Sequence, residues 1–131
     1  MFSARTGILI ILMKKTIFLD TSFLLDILTL KIDLESELRR VCDFDYELVS
    51  YDLILKELEG KKGENIARML MEKRNIRLLK PAKPAKSLDE IFLTLKEGAV
   101  VATNDRELKK GLKSKHIKIL SIRQKKYLVL D

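Results

Sequence analysis

An α/β fold built on a mostly parallel sheet is what this 131-residue sequence predicts, and three observations carry that expectation. Short uncharged runs such as Thr16-Ile17-Phe18-Leu19 have the character of strands buried on both faces. Segments with apolar residues three and four apart separate these runs, so strand and helix alternate along the chain. That alternation implies right-handed crossovers and parallel neighbours. Third, acidic residues follow two of the runs: Asp20 follows the first, and Asp105 follows Ala99-Val100-Val101-Ala102-Thr103-Asn104. In an open α/β sheet the carboxyl ends of the strands converge on one crevice.

The elements follow in order. Thr16 to Leu19 is the first strand, and Asp20-Thr21-Ser22 offers capping side chains to a helix through Phe23, Leu24, Leu25, Ile27 and Leu28. Leu34 to Val41 is a second helix, with Leu34, Leu38 and Val41 on one face, and Leu48 to Ser50 is a short strand. Asp52 to Glu59 reads as a helix ended by Gly60, and Asn65 to Lys73 as another. Ile76 to Leu79 is the third strand. Lys80-Pro81-Ala82-Lys83-Pro84-Ala85 continues neither helix nor ladder and forms a loop. Ser87 caps a helix through Leu88, Ile91, Phe92 and Leu95, which the spacing carries to Gly98. Val100 to Thr103 is the fourth strand, and a helix with Leu108 and Leu112 starts at Asp105. Ile117 to Ile122 and Tyr127 to Leu130 are the last two strands.

A chain of this length suits one domain with a substantial core. Residues 13–131 read as that domain. Residues 1–12 read as an upstream extension, because Met13-Lys14-Lys15 has the look of a start immediately before the first strand. The apolar stretch Gly7 to Met13 is far shorter than the roughly 18 residues a spanning helix needs. It is also followed by lysines rather than a small-residue cleavage site, so neither a membrane anchor nor a signal peptide is expected. The single cysteine, Cys42, excludes an internal disulfide, fits a reducing, cytoplasmic setting, and reads as a small core residue. The net charge of +7 leans toward nucleic acid as a partner.

Against that basic background stand four separated acids: Asp20, Glu57, Asp89 and Asp105. Read singly, each has a plainer explanation. Asp20 and Asp105 serve as helix caps, and Glu57 and Asp89 lie beside Glu59 and Glu90 as solvated helix charges. Read jointly, carboxylates brought into one crevice repel one another unless a cation lies between them. Oxygen donors alone make that cation a hard one of the Mg²⁺ or Mn²⁺ type.

Phe18-Leu19-Asp20-Thr21-Ser22, Ile54-Leu55-Lys56-Glu57-Leu58, Leu88-Asp89-Glu90-Ile91 and Val101-Ala102-Thr103-Asn104-Asp105-Arg106-Glu107-Leu108 together resemble the PIN-domain signature. The resemblance runs from about Met13 to Asp131, and its first and last motifs are the specific ones. It implies a three-layer α/β/α sandwich and an acidic pocket that binds one or two Mg²⁺ or Mn²⁺ ions and cleaves RNA. It also implies either a toxin of a toxin–antitoxin pair or a nuclease of ribosomal RNA processing. Asp20, Glu57, Asp89 and Asp105 match the acidic quartet. Thr21, Ser22, Thr103 and Asn104 match the residues that line the pocket. On this resemblance Asp20, Asp89 and Asp105 hold the metal, and Glu57 acts through water or orients the nucleophile. Glu107 is a departure, standing where many members place a further Asp. A homodimer and a small antitoxin protein are the partners the resemblance implies beside RNA.

Lys109, Lys110, Arg123, Lys125 and Lys126 are the basic residues expected to touch RNA phosphates, with a solvated charged face as the plainer reading. Tyr51 or Tyr127 offers a ring for base stacking, which core packing explains equally well. His116, the only histidine, reads as a solvated turn residue rather than a general base. Two other functions are weighed. One is a catalytically silent RNA-binding module of the same fold, which has no need of four ligands. The other is a phosphotransferase with its nucleophilic Asp after the first strand. That chemistry wants a second Asp two positions on, where this chain has Ser22.

Overall fold

The structure, a computed structural model, describes residues 14–131; the expected extension at 1–12 lies outside the described residues. Strand β1 (Lys15–Leu19) leads through helices α1 (Thr21–Thr29) and α2 (Leu34–Val41) to β2 (Tyr46–Tyr51). Helices α3 (Leu53–Leu58) and α4 (Glu64–Lys73) lead to β3 (Arg77–Leu79), and α5 (Leu88–Phe92) leads to β4 (Val100–Ala102). Helix α6 (Arg106–Ser114), β5 (Lys118–Arg123) and β6 (Tyr127–Leu130) complete the chain.

The six strands lie in the order β3-β2-β1-β4-β5-β6. The first five are parallel, and only β6 runs antiparallel, against β5. Ile17, Phe18 and Leu19 are all buried, as are Val100, Val101 and Ala102, so both faces of the central strands are covered. Burial of successive residues requires helices above and below the sheet, the α/β/α arrangement expected from sequence. On the Phe18 face, Tyr51 stacks at 5.8 Å between ring centroids and Phe92 of α5 packs at 6.1 Å.

β1 is the pivot of this topology. The chain moves outward from β1 to β2 and β3, then returns to place β4 on the other side of β1. Strand order reverses between β1 and β4, and such a reversal opens a crevice at the carboxyl ends of the two strands. The edge strand β6 is shielded by α2. Arg40 donates to the Leu128 carbonyl at 2.7 Å, and the Leu128 N–H donates to Glu37 at 2.9 Å. Those backbone groups are thereby withdrawn from pairing with another chain.

One expected helix is shorter than its apolar spacing implied. Leu88, Ile91, Phe92 and Leu95 have helical periodicity, but α5 ends at Phe92. The chain tightens there: the Thr94 and Leu95 N–H groups donate to Ile91 and Phe92, and the Thr94 hydroxyl donates to the Ile91 carbonyl at 2.6 Å. These three-residue closures replace the α-helical ladder. Gly98 lies in the following turn with φ +103, well beyond the helix. Cys42 is only half-buried against the core. His116 is exposed in a turn, as expected.

Candidate active site

Asp20 follows β1 directly, and its backbone N–H donates to Ala102 at the end of β4, so the pivot strands fix its place. The side chain caps α1 by accepting from the Thr21 N–H at 2.9 Å. Its second oxygen accepts from the hydroxyls of Thr103 at 2.7 Å and Ser22 at 3.2 Å. Burial holds this carboxyl above its ordinary pKa, those three bonds pull it back, and the Glu57 charge adds a smaller upward push.

Three further acids reach the same crevice. Glu57 on α3 accepts from the Thr21 hydroxyl at 2.7 Å with one oxygen and from the Leu88 N–H at 2.8 Å with the other. It therefore ties the start of α1 to the start of α5. Asp89 stands in the first turn of α5, whose Ser87 cap accepts from the Glu90 N–H. Asp105 caps α6 by accepting from the Leu108 N–H at 2.9 Å, and its own N–H donates to the Thr103 hydroxyl oxygen. The Thr103 side chain thus links the two acids that follow β1 and β4.

Asp20, Glu57, Asp89 and Asp105 line one open cleft of about 610 Å³, together with Thr21 and Ser22. Burial first, then the charges of Asp20, Asp105 and Glu57, push the Asp89 carboxyl up to about 6. No hydrogen bond offsets that rise, unlike at Asp20, where three bonds pull the carboxyl back down. Asp89 thus feels the other three acids across the cleft, and Asp20 feels Glu57, a repulsion a divalent cation would relieve. Among the described residues, no group of three acidic, His or Cys side chains stands ready to hold a metal ion. The donor set still fits Mg²⁺ and its like, because that ion keeps several waters and takes only one or two carboxylates from a protein.

Thr103 and Asn104 stand behind the cleft rather than in its lining. Thr103 is fully buried and acts through Asp20 and Asp105. Asn104 donates to Asp26 at 2.9 Å and accepts from the Ile122 N–H at 2.9 Å, bracing α1 against β5. Asp26 and Lys61 line the cleft and were not singled out from sequence. Asp26 lies four residues after Ser22 and so shares its helix face, a signal that was available. Lys61, in the turn between α3 and α4, gave none. Glu107 is exposed and stands 3.9 Å from Lys110. Arg123 is near Asp131 at 3.8 Å, while Lys125 and Lys126 are exposed in the β5–β6 turn. Lys109 is half-buried; burial, then Lys113, lowers its ammonium pKa while Asp131 opposes.

The PIN like domain description matches residues 17–125 of this chain. The chain belongs to the PIN-like domain family. Among its relatives is Ribonuclease VapC4 of Methanocaldococcus jannaschii, 32% identical over 120 residues that span 82% of this chain and 90% of the relative. Among solved structures, the PIN domain endonuclease Utp24 superposes with a TM-score of 0.77 over 88% of this chain and 90% of that one, at 23% identity. That second likeness speaks for the PIN fold alone.

The Asp89 shift makes a testable statement about the metal-free PIN-like domain. With its folded carboxyl raised to about 6, the folded chain binds a proton that the unfolded chain, near its ordinary value of about 3.9, releases. Stability from this group is therefore present at low pH and lost as pH rises through about 6. Thermal melts in EDTA should show a melting temperature a few degrees higher near pH 5 than near pH 7.5. Asp89→Asn should flatten that difference. A wild-type midpoint that falls toward pH 5 would remove Asp89 from this role.

Proposed function

We propose that this chain is a metal-dependent endoribonuclease, with its reaction centred on the cleft of Asp20, Glu57, Asp89 and Asp105. The observation that carries the reading is the convergence of four carboxylates on one cleft at the point where strand order reverses, where burial and then the charges of the other three raise Asp89 to about 6. The relative named as a ribonuclease supports RNA as the substrate. Asp20, Asp89 and Asp105 would hold the ion. Bound there, Mg²⁺ or Mn²⁺ would lower the pKa of an attacking water and neutralise charge growing on the scissile phosphate. Glu57, held by Thr21 and Leu88, would position α5 and orient the water. Thr103 keeps the Asp20 carboxylate turned and satisfied, and Asp20 and Asp105 cap the helices that begin at the cleft.

The silent RNA-binding module has one observation in its favour: no three of these side chains form a ready metal cage among the described residues. Cleavage of end-labelled RNA in Mn²⁺ and in EDTA decides between the two. Cleavage that needs the ion supports the nuclease, and RNA binding without cleavage in Mn²⁺ supports the silent module. A small antitoxin protein and a second copy of the chain complete the proposed partner set for a toxin-like nuclease. Co-purification with the product of a small adjacent reading frame would support the toxin over a processing role.

The basic residues give a separate expectation. The β5–β6 turn holds Gln124 and Lys125 at φ 53 and 57, the twisted hairpin geometry, and projects its lysines into solvent. It also stands at the carboxyl end of β5, the same end of the sheet as the cleft. Replacing Lys125 and Lys126 with Ala should lower the salt dependence of RNA binding by roughly 0.7 in slope per lost contact. The cleavage rate at saturating RNA should hold. An unchanged slope in a salt titration would take both residues off the RNA path.

A further inference from the structure

We propose that a second cavity, between Tyr51 and the Pro81–Ala85 loop, is a nucleobase subsite that holds a base of the RNA strand threaded through the acidic cleft. The proposal rests on the nuclease reading above. The cavity measures about 440 Å³ and is walled by Tyr51, Pro81, Pro84, Ile91 and Thr94, with Lys83 also lining it.

Three features fit a base rather than an arbitrary apolar group. The Tyr51 ring is held before any ligand arrives: Phe18 stacks on it at 5.8 Å and 10°, and Phe92 braces it at 6.3 Å. A fixed aromatic wall loses little freedom on stacking, and stacking tolerates any base because each has a π-face. The loop around the cavity carries Lys80, Lys83 and Lys86 and no acid, so it presents positive charge to a phosphate backbone. Aromatic platforms combined with basic grooves are how single strands are held. The acid that does reach the cavity, Glu90, accepts from the Lys86 N–H at 2.9 Å and has lone pairs left for a base amino group.

The cavity also lies next to the cleft, across helix α5. Helix α5 and its cap form a shared wall, with Ser87 and Asp89 lining the cleft while Glu90, Ile91 and Thr94 line the cavity. Tyr51 ends β2, the strand beside β1, so it lies at the same carboxyl edge of the sheet as Asp20. A strand whose phosphate lies among the acids can therefore cross α5 and place a neighbouring base against Tyr51.

Tyrosine fluorescence reads this contact directly, since the chain has three tyrosines and no tryptophan. Oligouridylate and oligoadenylate, titrated into the whole chain, should quench it. Tyr51→Phe keeps the stacking face and should bind as the wild type does, with most of the quenching gone. Tyr51→Leu should bind about tenfold more weakly. Lys83→Ala, an exposed change that leaves the core untouched, should lower the salt slope by roughly 0.7. If the wild type cleaves these RNAs in Mn²⁺ but Tyr51→Leu and Lys83→Ala bind unchanged, the subsite is wrong and the nuclease stands. If quenching survives in Tyr51→Phe, the base stacks elsewhere and the subsite is likewise wrong. If the wild type neither binds nor cleaves either RNA, both readings fall.

Discussion

Asp20→Asn should abolish RNA cleavage, by more than about a hundredfold, while leaving the fold intact. Losses of 10- to 100-fold are typical when a partner behind a metal ligand is removed, and Asp20 is proposed as a ligand itself. The substitution keeps the shape of the side chain. Asn caps a helix as well as Asp, so the bond from the Thr21 N–H survives. The Thr103 hydroxyl, rotatable, can still find an acceptor. What changes is one negative charge in a buried place that already resists ionisation. The metal-free variant should therefore melt at the wild-type temperature or slightly above it. Added Mn²⁺ stabilises only a state that binds it, by about 2.7 kcal/mol at a hundred times the dissociation constant. That rise should be present in the wild type and blunted in Asp20→Asn. If the residue were a cap and nothing more, cleavage and the metal response would both persist. Cleavage at the wild-type rate would sink the proposed mechanism.

Particular residues show what the sequence made legible. β1 and β4 were readable because uncharged runs buried on both faces have few other fates, and an acid after each run marked the crevice. The order of the strands followed from alternation and handedness rather than from any one residue. α5 was misjudged in length because Leu95 kept the apolar period, while the Thr94 hydroxyl and the three-residue closures that end the helix leave no periodic trace. The roles of Asn104 and Lys61 were hidden for a different reason. Asn104 acts through partners 78 and 18 residues away in sequence, and Lys61 meets the cleft only because the α3–α4 turn folds it there. Glu57 falls between: its spacing marked it, but its bond to the Leu88 N–H, which makes it a brace as well as an acid, exists only in three dimensions.

That brace and one aromatic ring position Asp89, and Phe92→Ala should show how much depends on the ring. α5 is five residues long, far too short to persist as an isolated helix, so tertiary anchors must hold it. Leu88 and Phe92 are fully buried at its two ends, and Phe92 packs against Phe18 and Tyr51 at 6.1 and 6.3 Å. Truncating a buried Phe to Ala costs about 3–5 kcal/mol, from lost transfer energy and the cavity left behind. For a domain of this size that lowers the melting temperature on the order of 10 °C. A general loss of stability would stop there. An anchor for Asp89 predicts more: below its own melting temperature the variant should also show a smaller Mn²⁺-dependent rise and slower cleavage, because the acid on α5 no longer holds its place. Phe92→Leu, which refills most of the space, should recover most of both. Urea melts, metal-dependent melting temperatures and cleavage rates for the two variants measure this. Full cleavage by folded Phe92→Ala would mean that α5 is held by Glu57 and Leu88 without the aromatic cluster.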